Sequence, residues 1–177
     1  NIGTPSSPYP GLQNAWCTSE IVNLTNDKAK LKSMITAMNP VGNTYIPAGL
    51  LWGWNMLDSN APLTGAKTKS AIEAMGGKKA MVLMTDGDNT LSADYPWHWG
   101  NDGNVADAKT KELCKNIKND DIVVYTVSFM VTDPDSVNML KQCASDHSKA
   151  FTADSTAELV QAFNEIGASM VAMRLSK

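Results

Sequence analysis

Five consecutive apolar residues, Ala80-Met81-Val82-Leu83-Met84, run directly into Thr85-Asp86-Gly87. A strand that is apolar at every position has no face to give to water, so it belongs in a parallel sheet covered by helices on both sides. The Asp-Gly pair marks a turn at its end. A second strand is expected over Ile122-Val123-Val124-Tyr125-Thr126-Val127-Ser128-Phe129, and a short third one around Ala150-Phe151.

Helical spacing fills the intervals. Ala106, Thr110, Leu113, Cys114 and Ile117 mark one face of a helix that Asn119-Asp120-Asp121 turns into the second strand. Thr132-x-x-Asp135, with Pro134 between, resembles a helix start, and Val137, Leu140 and Ala144 supply the expected buried stripe. Ser155-x-x-Glu158 is a capping box ahead of Leu159, Phe163, Ile166 and Met170. Strands alternating with helices of about a dozen residues imply right-handed crossovers and an open, doubly wound α/β sheet, whose ligands bind at the carboxyl ends of the strands.

Upstream of the first apolar strand, Ile21-Val22-Asn23-Leu24 reads as a short strand. Thr25 and Asp27 can cap a helix carrying Leu31, Met34, Ile35 and Met38, ended by Pro40 and Gly42. Pro47 suits the first turn of another helix, in which Leu50, Trp54 and Leu57 recur, with Trp52 and Trp54 read as packing residues. Thr68, Ala71, Ile72 and Met75 form a weaker helical pattern that stops at Gly76-Gly77. Residues 1–19, rich in turn formers, read as a linker or irregular segment, and residues 20–177 as the folded domain.

With 177 residues, 43% hydrophobic and 19% charged, the chain suits one compact domain rather than a disordered or fibrous protein. A net charge of −3 offers no basic field for a phosphate backbone, so nucleic acid is not an expected partner. No apolar run reaches the roughly 20 residues of a membrane helix. Cys17, Cys114 and Cys143 match no zinc spacing. His98 and His147 are accompanied by neither a Ser-His-Asp pattern nor a Gly-x-Ser-x-Gly elbow, so a hydrolase has little support.

Two motifs at a characteristic separation carry a resemblance. Gly42-Asn43-Thr44-x-Ile46-x-x-Gly49-Leu50, followed about thirty residues later by Lys79-Ala80-Met81-Val82-Leu83-Met84-Thr85-Asp86-Gly87, resembles the von Willebrand factor A family. The resemblance implies a divalent cation on the sheet rim, held by an Asp-x-Ser-x-Ser loop, a threonine matching Thr44 and an aspartate matching Asp86. Mg²⁺ is a hard ion that takes near-octahedral oxygen ligands and keeps waters, so hydroxyls and carboxylates from separate loops can hold it with one position open for a partner's carboxylate.

Tyr45-Ile46-Pro47-Ala48-Gly49-Leu50-Leu51-Trp52-Gly53-Trp54, Asp86-Gly87-Asp88-Asn89-Thr90 and Cys143-Ala144-Ser145 are similar to TadG-like proteins of bacterial Flp/Tad pilus assembly. That likeness implies a module on the periplasmic side of the inner membrane or at the cell surface, held there by an N-terminal anchor that lies outside these residues. A pilus-assembly component or an adhesion ligand is the implied protein partner.

Asp-x-Ser-x-Ser occurs nowhere in the chain. Asp146-His147-Ser148 only imitates it, because it falls between a helix and the wrong strand and position 150 is alanine. Residues 20–177 therefore read as the C-terminal part of a von Willebrand A-like domain, without the first, central strand. Its site is incomplete, so Mg²⁺ or another divalent cation is expected to bind weakly or not at all.

Each of these residues also has a plainer reading. Asp86 alone is an ordinary turn carboxylate, and Thr44 alone says less still. Trp97 and Trp99, in the polar and aromatic segment from Asp88 to Gly103, form either a recognition patch or a loop folded over the core. Cys114 and Cys143 sit near the ends of successive crossover helices, which right-handed connections place side by side, so a disulfide between them is expected. Two buried thiols are the alternative.

The functional expectation is a non-enzymatic protein-interaction or adhesion module. Thr44, Asp86, Asp88, Trp97 and Trp99 form its binding rim, and an unpaired sheet edge opens the way to a homo-oligomer. The competing expectation is a metal-dependent enzyme, or a subunit of one, using the Asp86 region.

Overall fold

The computed structural model describes residues 19–40, 42–92 and 100–175, the last three as backbone. It divides into two compact units, Asn1–Gly42 and Asn43–Lys177.

The described part of the first unit contains α1 (Lys28–Thr36). The Asp27 carboxylate accepts from the Lys30 amide at 2.9 Å, a normal N-cap, and Thr25 Oγ1 accepts from the Asp27 amide at 3.1 Å. None of the helix is buried, and Ile35 is 64% exposed. Ile21–Leu24, expected as a strand, has no regular structure here. Its apolar and β-branched composition favours a strand only when a neighbour completes the ladder, and no described residue does so.

The second unit holds a three-stranded parallel sheet ordered β1 (Ala80–Thr85), β2 (Val123–Phe129), β3 (Ala150–Ala153). Register runs Ala80 against Val123 through Thr85 against Ser128, and Thr126 against Ala150 through Phe129 against Ala153. Both outer strands lie within a residue or two of the expected positions. Ile122 stands just before β2 because Asp121 takes a positive φ of 58°, which ends the preceding turn.

Alternation along the strands assigns each side chain to a layer. Met81 and Val124 join Leu50, Cys114, Ile117, Met139, Leu140 and Cys143 in a core formed with α2 (Ile46–Leu57), α4 (Gly103–Asn119) and α5 (Pro134–Cys143). On the opposite face Tyr125 and Val127 pack with Ala162 and Ile166 of α6 (Thr156–Leu175). Each fully buried side chain of leucine size contributes about 1.5–3 kcal/mol, so the two layers hold the sheet between them. This is the α/β sandwich that the apolar strands require.

Local chemistry sets the helix ends. α3 (Lys69–Ala74) starts at Thr68, whose Oγ1 accepts from the Ala71 amide. It closes with the Gly77 amide on the Ile72 carbonyl at 3.0 Å and the Gly76 amide on the Glu73 carbonyl at 2.9 Å, with Gly76 at φ 70°. That Schellman closure needs a residue without a Cβ penalty in the left-handed region. At the end of α5 the Lys118 ammonium donates to the carbonyls of Gln142 (2.7 Å) and Ala144 (3.2 Å), and burial lowers its pKa.

Several details differ from expectation. α5 is capped by Asp133, whose carboxylate accepts from the Ser136 amide at 2.8 Å, not by Thr132. A residue before proline is held extended, which is the N-cap conformation, so Pro134 selects Asp133. The buried stripe of α5 is Ser136, Met139, Leu140 and Cys143 rather than one through Val137. On α6, Ala162 takes the buried place expected for Phe163, which is 43% exposed. Glu158 reaches the Asp154 amide rather than that of Ser155, so the capping box is shifted by one residue.

Among the described residues no helix is long and apolar enough to cross a membrane.

Candidate functional site

The carboxyl end of β1 is shaped by Thr85, whose Oγ1 donates to the Gly87 carbonyl at 2.8 Å and accepts from the Gly87 amide at 3.3 Å. This side-chain turn directs Asp86 and Asp88 outward, and both are exposed. The chain then reverses toward the segment that leads into α2. Thr90 Oγ1 accepts from the Thr44 amide at 2.8 Å, and the Thr44 carbonyl accepts from the amides of Thr90 (2.9 Å) and Leu91 (3.1 Å).

Asn89, which is buried, completes the junction. Its Oδ1 accepts from the Ile46 amide at 2.8 Å. Ile46 opens α2, where the N-cap residue Tyr45 makes no side-chain bond, so an orphan helix amide is satisfied from another loop. The Asn89 Nδ2 donates to the Asp107 carboxylate at 2.8 Å and to Thr110 Oγ1 at 3.4 Å, both on α4. Gly103, at the start of α4, lies so close that an added Cβ would stand 2.9 Å from the Asn89 carbonyl oxygen.

Buried Ser92 continues the rim: its amide donates to the Gly100 carbonyl at 2.7 Å, and its hydroxyl accepts from the Asp102 amide at 3.2 Å. A shallow cleft of about 240 Å³ opens beside these bonds, bordered by Asn43, Thr90 and Asn101. A larger groove of about 420 Å³ runs between α2 and α4, lined by Trp52 and Leu113 among others. Trp54 packs against the core and donates from Nε1 to Asp120, but Trp52, expected as a packing residue, is 49% exposed.

The segment of Thr44 and the loop of Asp86 and Asp88 are therefore bonded into one rim. The bonds that fix Thr44 use its backbone, leaving its hydroxyl out of them, and the bonds that shape the loop do not involve the Asp86 carboxylate. These are hard oxygen donors of the kind Mg²⁺ takes. Among the described residues no group of three or more His, Cys, Asp or Glu is placed to hold a metal ion. Trp97 and Trp99 lie outside the described residues, as does Cys17.

Cys114 and Cys143 are joined by a disulfide, with Cα atoms 5.1 Å apart. It binds α4 to α5 near the start of β2, where the Ser145 amide donates to the Val124 carbonyl, far from the rim. Asp146 caps the short 3₁₀ turn His147–Lys149, accepting from the Ser148 amide at 2.9 Å and pairing with Lys149. It has a local structural role there.

Sequence reasoning missed Asn89, Thr90, Asp107 and Thr110, the residues that assemble the rim. Asn89 and Thr90 stand in the quoted Asp-Gly-Asp-Asn-Thr run, yet nothing local points to partners more than forty residues upstream or on the following helix.

In fold the chain is similar to the vWF domain of the type V pili tip protein Mfa5 from Porphyromonas gingivalis, with a TM-score of 0.62 and 15% identity over 85% of this chain and 75% of that one. It is also similar to the pilus adhesin SpaC from Lactobacillus rhamnosus GG in its open conformation, with a TM-score of 0.59 and 18% identity over 85% of this chain. The chain spans 22% of the SpaC length. No protein-family model matches the chain, and no curated protein matches it in sequence. The class that the architecture defines is the von Willebrand A-like α/β fold.

Proposed function

We propose that the chain is a non-enzymatic protein-interaction module that works in adhesion or pilus assembly through the rim carrying Thr44, Asp86 and Asp88. The observation behind this reading is the hydrogen-bonded junction of Thr44 and Ile46 with Asn89 and Thr90, which holds two donor-bearing loops together at the carboxyl end of β1. A fold shared with a pilus adhesin and a pilus tip domain supports it. Trp97 and Trp99 are taken as part of the same binding surface.

The finer reading follows the sequence resemblance. Residues 20–177 are the C-terminal part of a von Willebrand A-like domain of the TadG-like kind, serving Flp/Tad pilus assembly. The Cys114–Cys143 bond suits an oxidising compartment, either the periplasmic side of a bacterial inner membrane or the cell surface. Thr44 and Asp86 would contribute oxygens to Mg²⁺ or another divalent cation, weakly in the absence of Asp-x-Ser-x-Ser.

Calorimetric titration with Mn²⁺ tests the site. Binding that saturates only at millimolar metal and disappears in both Thr44→Ala and Asp86→Ala is the expected result. Submicromolar binding that survives Asp86→Ala would refute it. The alternative, a metal-dependent enzyme using Asp86, would gain support from a turnover that Asp86→Ala abolishes.

A further inference from the structure

Three residues stand where the chain leaves the sheet at its carboxyl edge: Asp86 directly after β1, Met130 directly after β2 and Asp154 directly after β3. Register keeps them nearly level, since Thr85 is opposite Ser128 and Ala153 is opposite Phe129. All three are exposed, Met130 to 59%. Neighbouring strands lie about 4.8 Å apart, so the two aspartates are roughly 10 Å from each other with the methionine between them.

The fold gives position 130 no reason to be methionine. Its φ of 55° lies in the left-handed region, which costs an L-residue energy and glycine nothing. The Met130 amide donates to the Ala153 carbonyl at 2.9 Å, a backbone bond that any residue but proline can make. Val131, next in the chain, is buried. The main chain is therefore anchored on both sides of Met130 while most of its side chain stays in solvent. An apolar side chain displayed on a strained backbone points to a role outside the fold.

The surroundings fix the sign of what can approach. Residues 80–108, 129–140 and 150–173 contain neither lysine nor arginine. Exposed Asp88 and Asp135 add to Asp86 and Asp154, whereas Lys78, Lys79 and Lys149 lie at the opposite end of the strands, just before β1 and β3. A surface of one sign attracts the opposite charge and turns away its own.

We infer that Met130 is a specificity-determining contact of the rim, and that the partner it selects is a protein segment presenting an apolar side chain between two cationic ones. The apolar side chain packs on the methionine, whose flexible thioether adapts to varied shapes. The cations meet Asp86 and Asp154, and a segment with carboxylates in those places is repelled. The inference rests on the rim being the binding surface, as proposed above, and adds what that surface recognises.

The probe is a fluorescent, amidated peptide with two lysines on each side of one leucine, added to the whole chain carrying ε-13C-methionine. Met130→Gly identifies the Met130 methyl signal, which is expected to shift saturably at low salt. Replacing the leucine with serine should weaken binding roughly tenfold, the worth of part of a leucine side chain. Glutamates in place of the lysines should abolish it.

By fluorescence anisotropy, Met130→Asn, which tolerates the left-handed backbone, should bind the leucine and serine peptides equally, whereas Met130→Leu should keep the preference. Asp86→Asn/Asp154→Asn should weaken the lysine peptide and flatten its dependence on salt. Met130→Gly should unfold at the same urea concentration as wild type or a higher one. A Met130 signal indifferent to the leucine peptide, equal affinity for lysine and glutamate peptides, or a Met130→Gly midpoint well below wild type overturns the inference.

Mn²⁺ titration separates this from the reading of the rim, because Met130→Gly should bind Mn²⁺ as wild type does. Mn²⁺ binding that Asp86→Ala removes, without any peptide response, rejects the role of Met130 alone. Absence of both rejects the rim as a whole.

Discussion

The Ile46 amide donates to Asn89 Oδ1 at 2.8 Å, so the first turn of α2 is capped by a side chain from the loop after β1. The side-chain Nδ2 of Asn89 donates in turn to the Asp107 carboxylate, which makes this one buried residue the common partner of α2, α4 and that loop. Asn89→Ala leaves the Ile46 amide and the Asp107 carboxylate without their partner, and is expected to cost about 2–3 kcal/mol in urea unfolding. Asn89→Asp keeps the acceptor but sets a second carboxylate against Asp107. Like charges raise carboxyl pKa values, so its deficit should be large at pH 7 and shrink as the pH falls through the carboxylate range. An Asn89→Asp deficit independent of pH would contradict this account.

Gly103→Ala tests the approach of α4 to the same loop. The added Cβ would meet the Asn89 carbonyl oxygen at 2.9 Å, a backbone atom that cannot swing aside. The expected loss is about 1–3 kcal/mol. Amide exchange should quicken at Thr90 and Leu91 more than in β2, since the strain enters at the rim.

The Cys114–Cys143 bond closes a loop with a sequence separation of 29. Chain-entropy arguments assign such a crosslink about 3.5 kcal/mol. Urea midpoints measured with and without reductant should differ accordingly, and Cys114→Ser/Cys143→Ser should follow the reduced protein. Thiol titration after unfolding without reductant should find Cys17 as the reactive group. Three reactive thiols would disprove the pairing.

Asp146 has its pKa lowered from 3.8 to about 2, chiefly by Lys149 and then by Ser148. A depressed carboxyl pKa contributes stability that is complete above the unfolded value and is lost as pH falls through the folded one. The stability difference between wild type and Asp146→Asn should therefore be constant above about pH 5 and decline between about pH 4 and 2. Because Asp146 is half exposed, the effect is small, and differential scanning calorimetry across that range is the suitable readout.

The strands and most helices were legible because their signals are local. Ala80–Met84 is apolar at every position, which marks a strand between two helical layers, and Gly76-Gly77 can close a helix whatever surrounds it. Phe163 illustrates where this stops: α6 carries Leu159, Val160, Phe163, Ile166, Met170 and Val171, an apolar arc too wide for periodicity to choose the buried side. Ile21–Leu24 illustrates the converse, since strand propensity forms no strand without a neighbour. Thr44 and Asp86 came from a motif resemblance, and their loops do meet. Asn89 could not be read as the joining residue because its bonds span 43 residues to Ile46 and 18 to Asp107.

The disulfide also has a mechanical meaning. If tension reaches this module through its chain ends, the force cannot straighten the segment between Cys114 and Cys143, which contains all of β2. At about 3.3–3.6 Å per extended residue, that bracket withholds roughly 100 Å of contour length. A pulled molecule would thus shed its outer elements and yet retain a closed ring around its middle strand, giving refolding a place to start when the load drops.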